Sequence, residues 1–155
     1  MRHPVAAVLS LATLAACGSE GPSTPGATAS FSASARVVSV RCELPNCPPP
    51  LGVAIAVRVT ESGGIIGGYV TMMDFVLRDE ASGRVLGSQH YDAAQIASMT
   101  QVESNQVYPS AWVEILAHPF RFTGSEQGAR TVTVAISVTD YHGHEHDQTV
   151  IVSID

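Results

Sequence analysis

The chain has 155 residues, of which 14% are charged and 45% apolar, and its formal net charge is −6. That length supports one domain of ordinary size. The acidic balance excludes nucleic-acid binding by phosphate neutralisation, the apolar content excludes a wholly disordered chain, and nothing suggests collagen, coiled coil or a multispan membrane protein.

Met1-Arg2-His3-Pro4 opens the chain, and an apolar run follows from Val5 to Ala16. A short basic start before about a dozen apolar residues is a secretory signal pattern, too short to span a bilayer. The run ends Leu14-Ala15-Ala16-Cys17. That segment resembles the lipobox of bacterial lipoproteins. The resemblance implies cleavage before Cys17 (signal peptide 1–16) and a covalent lipid on the Cys17 sulfur. It also implies export to the bacterial envelope, with the membrane as a partner through the anchor. Gly18 follows, in place of the Asp that retains many such proteins in the inner membrane, so the expected location is the outer membrane. An ordinary signal with an unrelated Cys is the competing reading.

Residues 17–34 read as the lipidated Cys and a tether. Gly18 to Ser30 is small, polar or Pro, and cannot bury apolar surface. Beyond residue 16 the chain holds seven Arg, fourteen acids and no Lys. Such an acidic domain is expected to be held by its anchor alone.

From residue 35 to 155 the dominant period is two, as in strands with one buried face. Val38, Val40 and Cys42 alternate with polar residues, and Val53, Ile55, Val57 and Val59 with Ala54, Ala56, Arg58 and Thr60. Tyr69–Arg78 carries Met73, Phe75 and Leu77 on one side and Val70, Met72 and Val76 on the other, which predicts cover on both faces. Arg84–Tyr91 is shorter and more polar. Asp92-Ala-Ala-Gln95 matches a capping box for one helical turn near 92–99, with Ile96 and Met99 on one side. Ala111–Phe122 places Trp112, Leu116, Phe120 and Phe122 on one parity. Pro109 and Pro119 predict an edge or an interruption there. Val132, Val134, Ile136 and Val138 form the next row, and Val150, Val152 and Ile154 the last. Glu80–Gly83 and Asp140–Gly143 predict hairpin turns, and the glycines of 61–68 a loose connection.

Seven half-buried antiparallel strands need a second sheet to cover them, which predicts an all-β fold, a single immunoglobulin-like β-sandwich. The closing segment, Val-Thr-Val-Ala-Ile-Ser-Val-Thr-Asp-Tyr-His-Gly and then Val-Ile-Val-Ser-Ile, resembles the last hairpin of bacterial immunoglobulin-like and fibronectin III-like modules. The resemblance implies fold, and no particular function. The chain departs from antibody domains, because it has no long-range Cys pair and Trp112 falls too late for the third strand.

With Cys17 consumed by lipid, Cys42 and Cys47 remain. An exported chain meets an oxidising compartment, so a structural disulfide between them is expected. Four residues separate them, where redox catalysis uses two.

The segment Tyr141-His142-Gly143-His144-Glu145-His146-Asp147 gathers three of the five histidines beyond residue 16. In an extended segment His144 and His146 share one face. With His142 folding back and Asp140 or Asp147 adding an oxygen, they are candidate ligands for zinc or copper. The competing reading is a polar turn continuing the inward row of the last strand.

No nucleophile elbow is present, and a Walker-type phosphate loop is impossible without Lys. The expected function is therefore a non-catalytic binding, adhesion or spacer module, with no cofactor besides the lipid and with a protein or glycan partner in the envelope. The alternative is a metal-binding lipoprotein using His142, His144 and His146.

Overall fold

A computed structural model of the chain describes residues 28–42, 51–122 and 129–154. Strand β1 (Phe31–Cys42), β2 (Leu51–Glu61) and β6 (Trp112–Phe122) form a three-stranded antiparallel sheet in the order β1-β2-β6. Strands β4 (Val85–Asp92), β3 (Gly68–Asp79), β7 (Arg130–Asp140) and β8 (Glu145–Ile154) form the second, in the order β4-β3-β7-β8. The two-residue β5 (Gln106–Val107) adds to the start of β3. The architecture is the expected immunoglobulin-like sandwich, with seven long strands among the described residues. Its fourth strand joins the second sheet, unlike antibody constant domains, in which it joins the first.

The period-two rows supply the core. Val53, Ile55, Val57 and Val59 of β2 are fully buried, and they face Met73 and Phe75 of β3 and Val132, Val134 and Val138 of β7, also fully buried. Burying each such side chain contributes about 1.5–3 kcal/mol, and the branched residues suit the pleated backbone. Between the sheets, α1 (Ala93–Ser98) plugs one flank with Ile96, which is fully buried. Its predicted capping box is present. Asp92 Oδ1 accepts from Gln95 N at 2.9 Å, and Gln95 Oε1 accepts from Asp92 N at 3.0 Å.

Four register shifts lie among the described residues; one leaves Leu86 over in β4, and the other three break the alternation read from the sequence. A register shift in β1 between Val37 and Ser39 leaves Val38 over, so Val38 is 44% exposed and the inward row is Phe31, Ala33, Ala35 and Val37. A second shift, between Val70 and Met72, makes Thr71 the extra residue. Val70 therefore joins the inward row, while Met72 and Val76 stay half-buried, so the expected cover on both faces of β3 is absent. The third sits in β6, where Val53 pairs with Phe120 but Ile55 pairs with Ala117. His118 and Pro119 take up the slack, and β6 is an edge strand, as Pro119 predicted. The inward residues are thus Val113, Ile115, Ala117 and Phe120, whereas Trp112 and Leu116 face outward. The strand also starts earlier than the expected boundary at 35. Ala29 and Phe31 are already packed in the core.

Candidate functional site

The three sequence-predicted histidines lie around the β7–β8 hairpin. Gly143 takes a φ of +87°, a left-handed conformation that favours glycine, and Gly143 N donates to Asp140 O at 2.9 Å. The organiser of this turn is Asp140, which is 4% exposed. Its Oδ1 accepts from His142 N at 2.8 Å and His144 N at 2.9 Å. Its Oδ2 meets His144 Nδ1 and His146 Nε2, each at 3.2 Å. Burial pushes the Asp140 carboxyl up, but the backbone N–H of His144, the two imidazoles and the N–H of His142 outweigh it and hold the group at about 2. An ionised carboxylate only accepts, so both facing imidazole nitrogens carry hydrogen.

His144 and His146 do share a face, as the alternation predicted. His142 contributes its backbone, and its ring lies parallel to that of His144 with centroids 6.4 Å apart. Asp147, the other candidate oxygen donor, instead accepts from the Ser137 hydroxyl at 2.7 Å. The His146 ring meets Phe31 edge-on at 5.2 Å. Among the described residues no group of three or more His, Cys, Asp or Glu is placed to hold a metal ion. The geometry is that of a hairpin lock.

A second buried carboxylate sits at the same end of the sandwich. Glu61 is 1% exposed and ends β2. Its Oε1 accepts from Gly63 N at 2.7 Å and Ser30 N at 3.4 Å, and its Oε2 from Gly64 N and Ser110 N, both at 2.8 Å. One side chain thereby ties the start of the domain, the β2–β3 loop and the loop before β6. Burial raises the Glu61 pKa, and the N–H donors of Ser110, Gly64, Ser30 and Gly63 together bring it below the ordinary 4.5. Sequence reasoning missed this residue. Its signal was Glu61-Ser62-Gly63-Gly64, a carboxylate before two glycines whose backbone can turn back towards it.

Cys17 and Cys47 lie outside the described residues, and Cys42 is placed only as the end of β1, in register with Leu51. The lipid site and the Cys42–Cys47 bridge thus fall outside what the structure describes.

A groove of about 570 Å³ lies on the outer face of the three-stranded sheet. Its floor includes Ala56, 3% exposed although it points away from the core. A small residue on the central strand leaves a trough between larger neighbours on β1 and β6. Val38 and Leu116 stand on its sides, Trp112 at one end, and residues 98–102 form a ridge along β6. That ridge is held by Leu116 N donating to Met99 O at 3.2 Å and by a bridge between Thr100 and Ile115. Trp112 is 56% exposed and Val102 74%. Polar groups line the trough beside them. Glu114 accepts from Arg58 at 3.1 Å and Arg36 at 3.5 Å, and the Arg58 guanidinium lies 4.2 Å from the Trp112 ring centroid. Such exposed pairs add little stability, at most about 1 kcal/mol each, but they fix the orientation of the indole. Sequence alone put Trp112 on the parity of Phe120, because the bulge at His118-Pro119 hides that it is on the opposite face from Phe120.

No protein-family model and no curated protein matches this sequence. Two solved structures are similar in chain path. One is a Northeast Structural Genomics Consortium target, with a TM-score of 0.48 and 6% identity over 80% of this chain and 85% of that one. The other is a Bordetella pertussis protein described as ApaA, with a TM-score of 0.48 and 14% identity over 80% of this chain and 91% of that one.

Proposed function

We propose that this chain is a lipid-anchored protein of the bacterial envelope whose sandwich is a non-catalytic contact module. The groove beside Trp112 is its surface for a protein or glycan partner. The observation that carries the reading is the groove itself. It combines exposed apolar side chains, Val38, Val102, Trp112 and Leu116, with the Arg36–Glu114–Arg58 cluster, which supplies hydrogen-bonding groups at its margin. Its volume falls within the range of ligand-holding clefts, and an exposed Trp beside an Arg is the composition of binding hot spots. The anchor is supported by Leu14-Ala15-Ala16-Cys17. The non-catalytic reading is supported by the two buried carboxylates. Glu61 and Asp140 are saturated by N–H donors and neither lines the groove.

Two measurements test this. Cys17→Ala in the full chain should abolish acylation, read by intact mass, and move the protein out of the membrane fraction. A photo-crosslinking residue at position 102 in living cells should give a discrete adduct that Leu116→Arg removes. A position 102 that reacts no more than position 151, on the exposed edge of β8, would refute the groove as the contact surface.

A further inference from the structure

The topology collects one end of the sandwich from four pieces of chain: residues 28–30 and the loops 62–67, 108–111 and 141–144. They are stitched together by Ser62 N donating to Ser30 O at 2.9 Å, Tyr141 N to Gly67 O at 3.0 Å, and the Glu61 carboxylate between Gly64 and Ser110. This end exposes Ile65 (57%), Tyr108 (59%) and Trp112 (56%), with Tyr69 and Tyr141 in an edge-on pair beside them. Three of the four Tyr and the single Trp of the chain are therefore gathered here.

Charge is distributed in the opposite sense. The three loops contain no Asp, Glu, Lys or Arg. The two carboxylates of this end, Glu61 and Asp140, are turned inward. The ionisable groups left in solvent are Arg58, which lies against the Trp112 ring and pairs with Glu114, Glu145 at the start of β8, the His142 and His144 rings, and the phenols. At the other end the β3–β4 turn presents Asp79, Glu80 and Arg84, flanked by Arg78.

Rings with an apolar body and a polar tip are the side chains that settle at a bilayer–water interface. The chain also leads this end towards a bilayer. Thr28 enters here and lies eleven positions after Cys17, which limits its distance from the lipidated residue to about 40 Å. We propose that this end docks on the membrane that holds the acyl chains of Cys17, with Ile65, Tyr108 and Tyr141 seated among the lipid headgroups. The inference rests on the lipid-anchor reading. The docking departs from the expectation that the acidic domain is held by its anchor alone, because Glu61 and Asp140 are turned inward at this end and exposed charges more than about 8 Å from the surface are largely screened at physiological salt. Docked this way, the sandwich stands on its end and the groove opens sideways.

The test uses the full chain, extracted from membranes and reconstituted into phosphatidylethanolamine–phosphatidylglycerol vesicles with brominated acyl chains. Trp112→Phe removes the native fluorophore. Tyr108→Trp then places a reporter at the docking end, and Val85→Trp, in a separate protein, at the far end. Insertion to about 5–10 Å should cost the reporter at position 108 at least about half its emission, while that at position 85 keeps nearly all of it. Native Trp112 in the unsubstituted chain should be quenched more than the reporter at 85. An acylated chain with no bromine quenching at 108 or at Trp112 overturns the docking and leaves the anchor standing. So does Trp112 shielding from acrylamide without bromine quenching, which assigns the surface to a second copy of the chain. An unacylated mass overturns the anchor and the docking together.

Discussion

Asp140→Asn is the sharpest perturbation of the hairpin lock. The amide keeps one oxygen for the N–H groups of His142 and His144, but its NH₂ replaces the oxygen that now faces His144 Nδ1 and His146 Nε2 at 3.2 Å. A carboxyl held at about 2 in the fold, against an ordinary 3.8, stabilises the folded state by roughly 2 kcal/mol at neutral pH. The sign follows from the depressed value. The contribution is fully present above about pH 4 and is lost as the pH falls through about 2. Charge-assisted hydrogen bonds to a buried carboxylate give a similar figure, about 2–3 kcal/mol. For a domain of this size that lowers the melting midpoint by roughly 10 °C. Thermal melts of parent and variant from pH 7 to pH 2 check it: the midpoints should differ widely at pH 7 and converge towards pH 2. A variant within about 1 °C of the parent at pH 7, or a gap that widens in acid, would refute the assignment of Asp140 as the lock.

Further outcomes follow from the same geometry. Glu61→Gln sets an NH₂ against two backbone donors and should cost about 3 kcal/mol in urea unfolding at pH 7, a loss that shrinks as acid protonates Glu61 in the parent. Gly67→Ala drives a Cβ into Val107 O and should lower the melting midpoint severely, whereas Gly87→Ala, with its nearest neighbour at 3.5 Å, should leave it almost unchanged. A metal held at a hundred times its dissociation constant would add about 2.7 kcal/mol. With Asp140 already satisfied by N–H groups, zinc or copper is expected to move the melting midpoint by less than about 1 °C, and a larger shift that His144→Ala and His146→Ala abolish would establish the metal reading instead. His142→Ala should be nearly neutral, because His142 reaches Asp140 through its backbone.

Much of the fold was legible because its commonest element, the half-buried strand, writes itself with a period of two. Val53–Val59 and Val132–Val138 were readable in place and in facing. The capping box of Asp92 and Gln95 was readable for the same reason: the chemistry is local. What failed was parity wherever an extra residue enters one strand and not its partner. Val38, Thr71 and His118-Pro119 each flip the pattern, and the information that fixes them lies in the neighbouring strand. Trp112 suffered most, since its facing depends on a bulge six residues downstream. The histidine segment was found correctly as a cluster, but its centre, Asp140, was read as an optional ligand because sequence does not reveal that the carboxylate is buried.

One consequence joins the two carboxylates to the aromatic end. A loop-built end of a sandwich has backbone N–H groups to satisfy, and the usual partner is water or an exposed polar side chain. Here Glu61 and Asp140 satisfy six of them from inside, and the loops are left free to carry Ile65, Tyr108 and Tyr141 outward. An end that met only water would gain nothing from holding its charge inside and its apolar rings outside. An end pressed against a surface of low polarity requires that inversion, because each backbone donor left unpaired there would cost about 1–3 kcal/mol. Loss of either carboxylate should therefore weaken docking as well as folding. Under conditions where Glu61→Gln is still folded, its Trp112 should show less bromine quenching in vesicles than the parent's. Unchanged quenching in the folded variant would separate the carboxylate knot from the membrane and leave it a purely structural clasp.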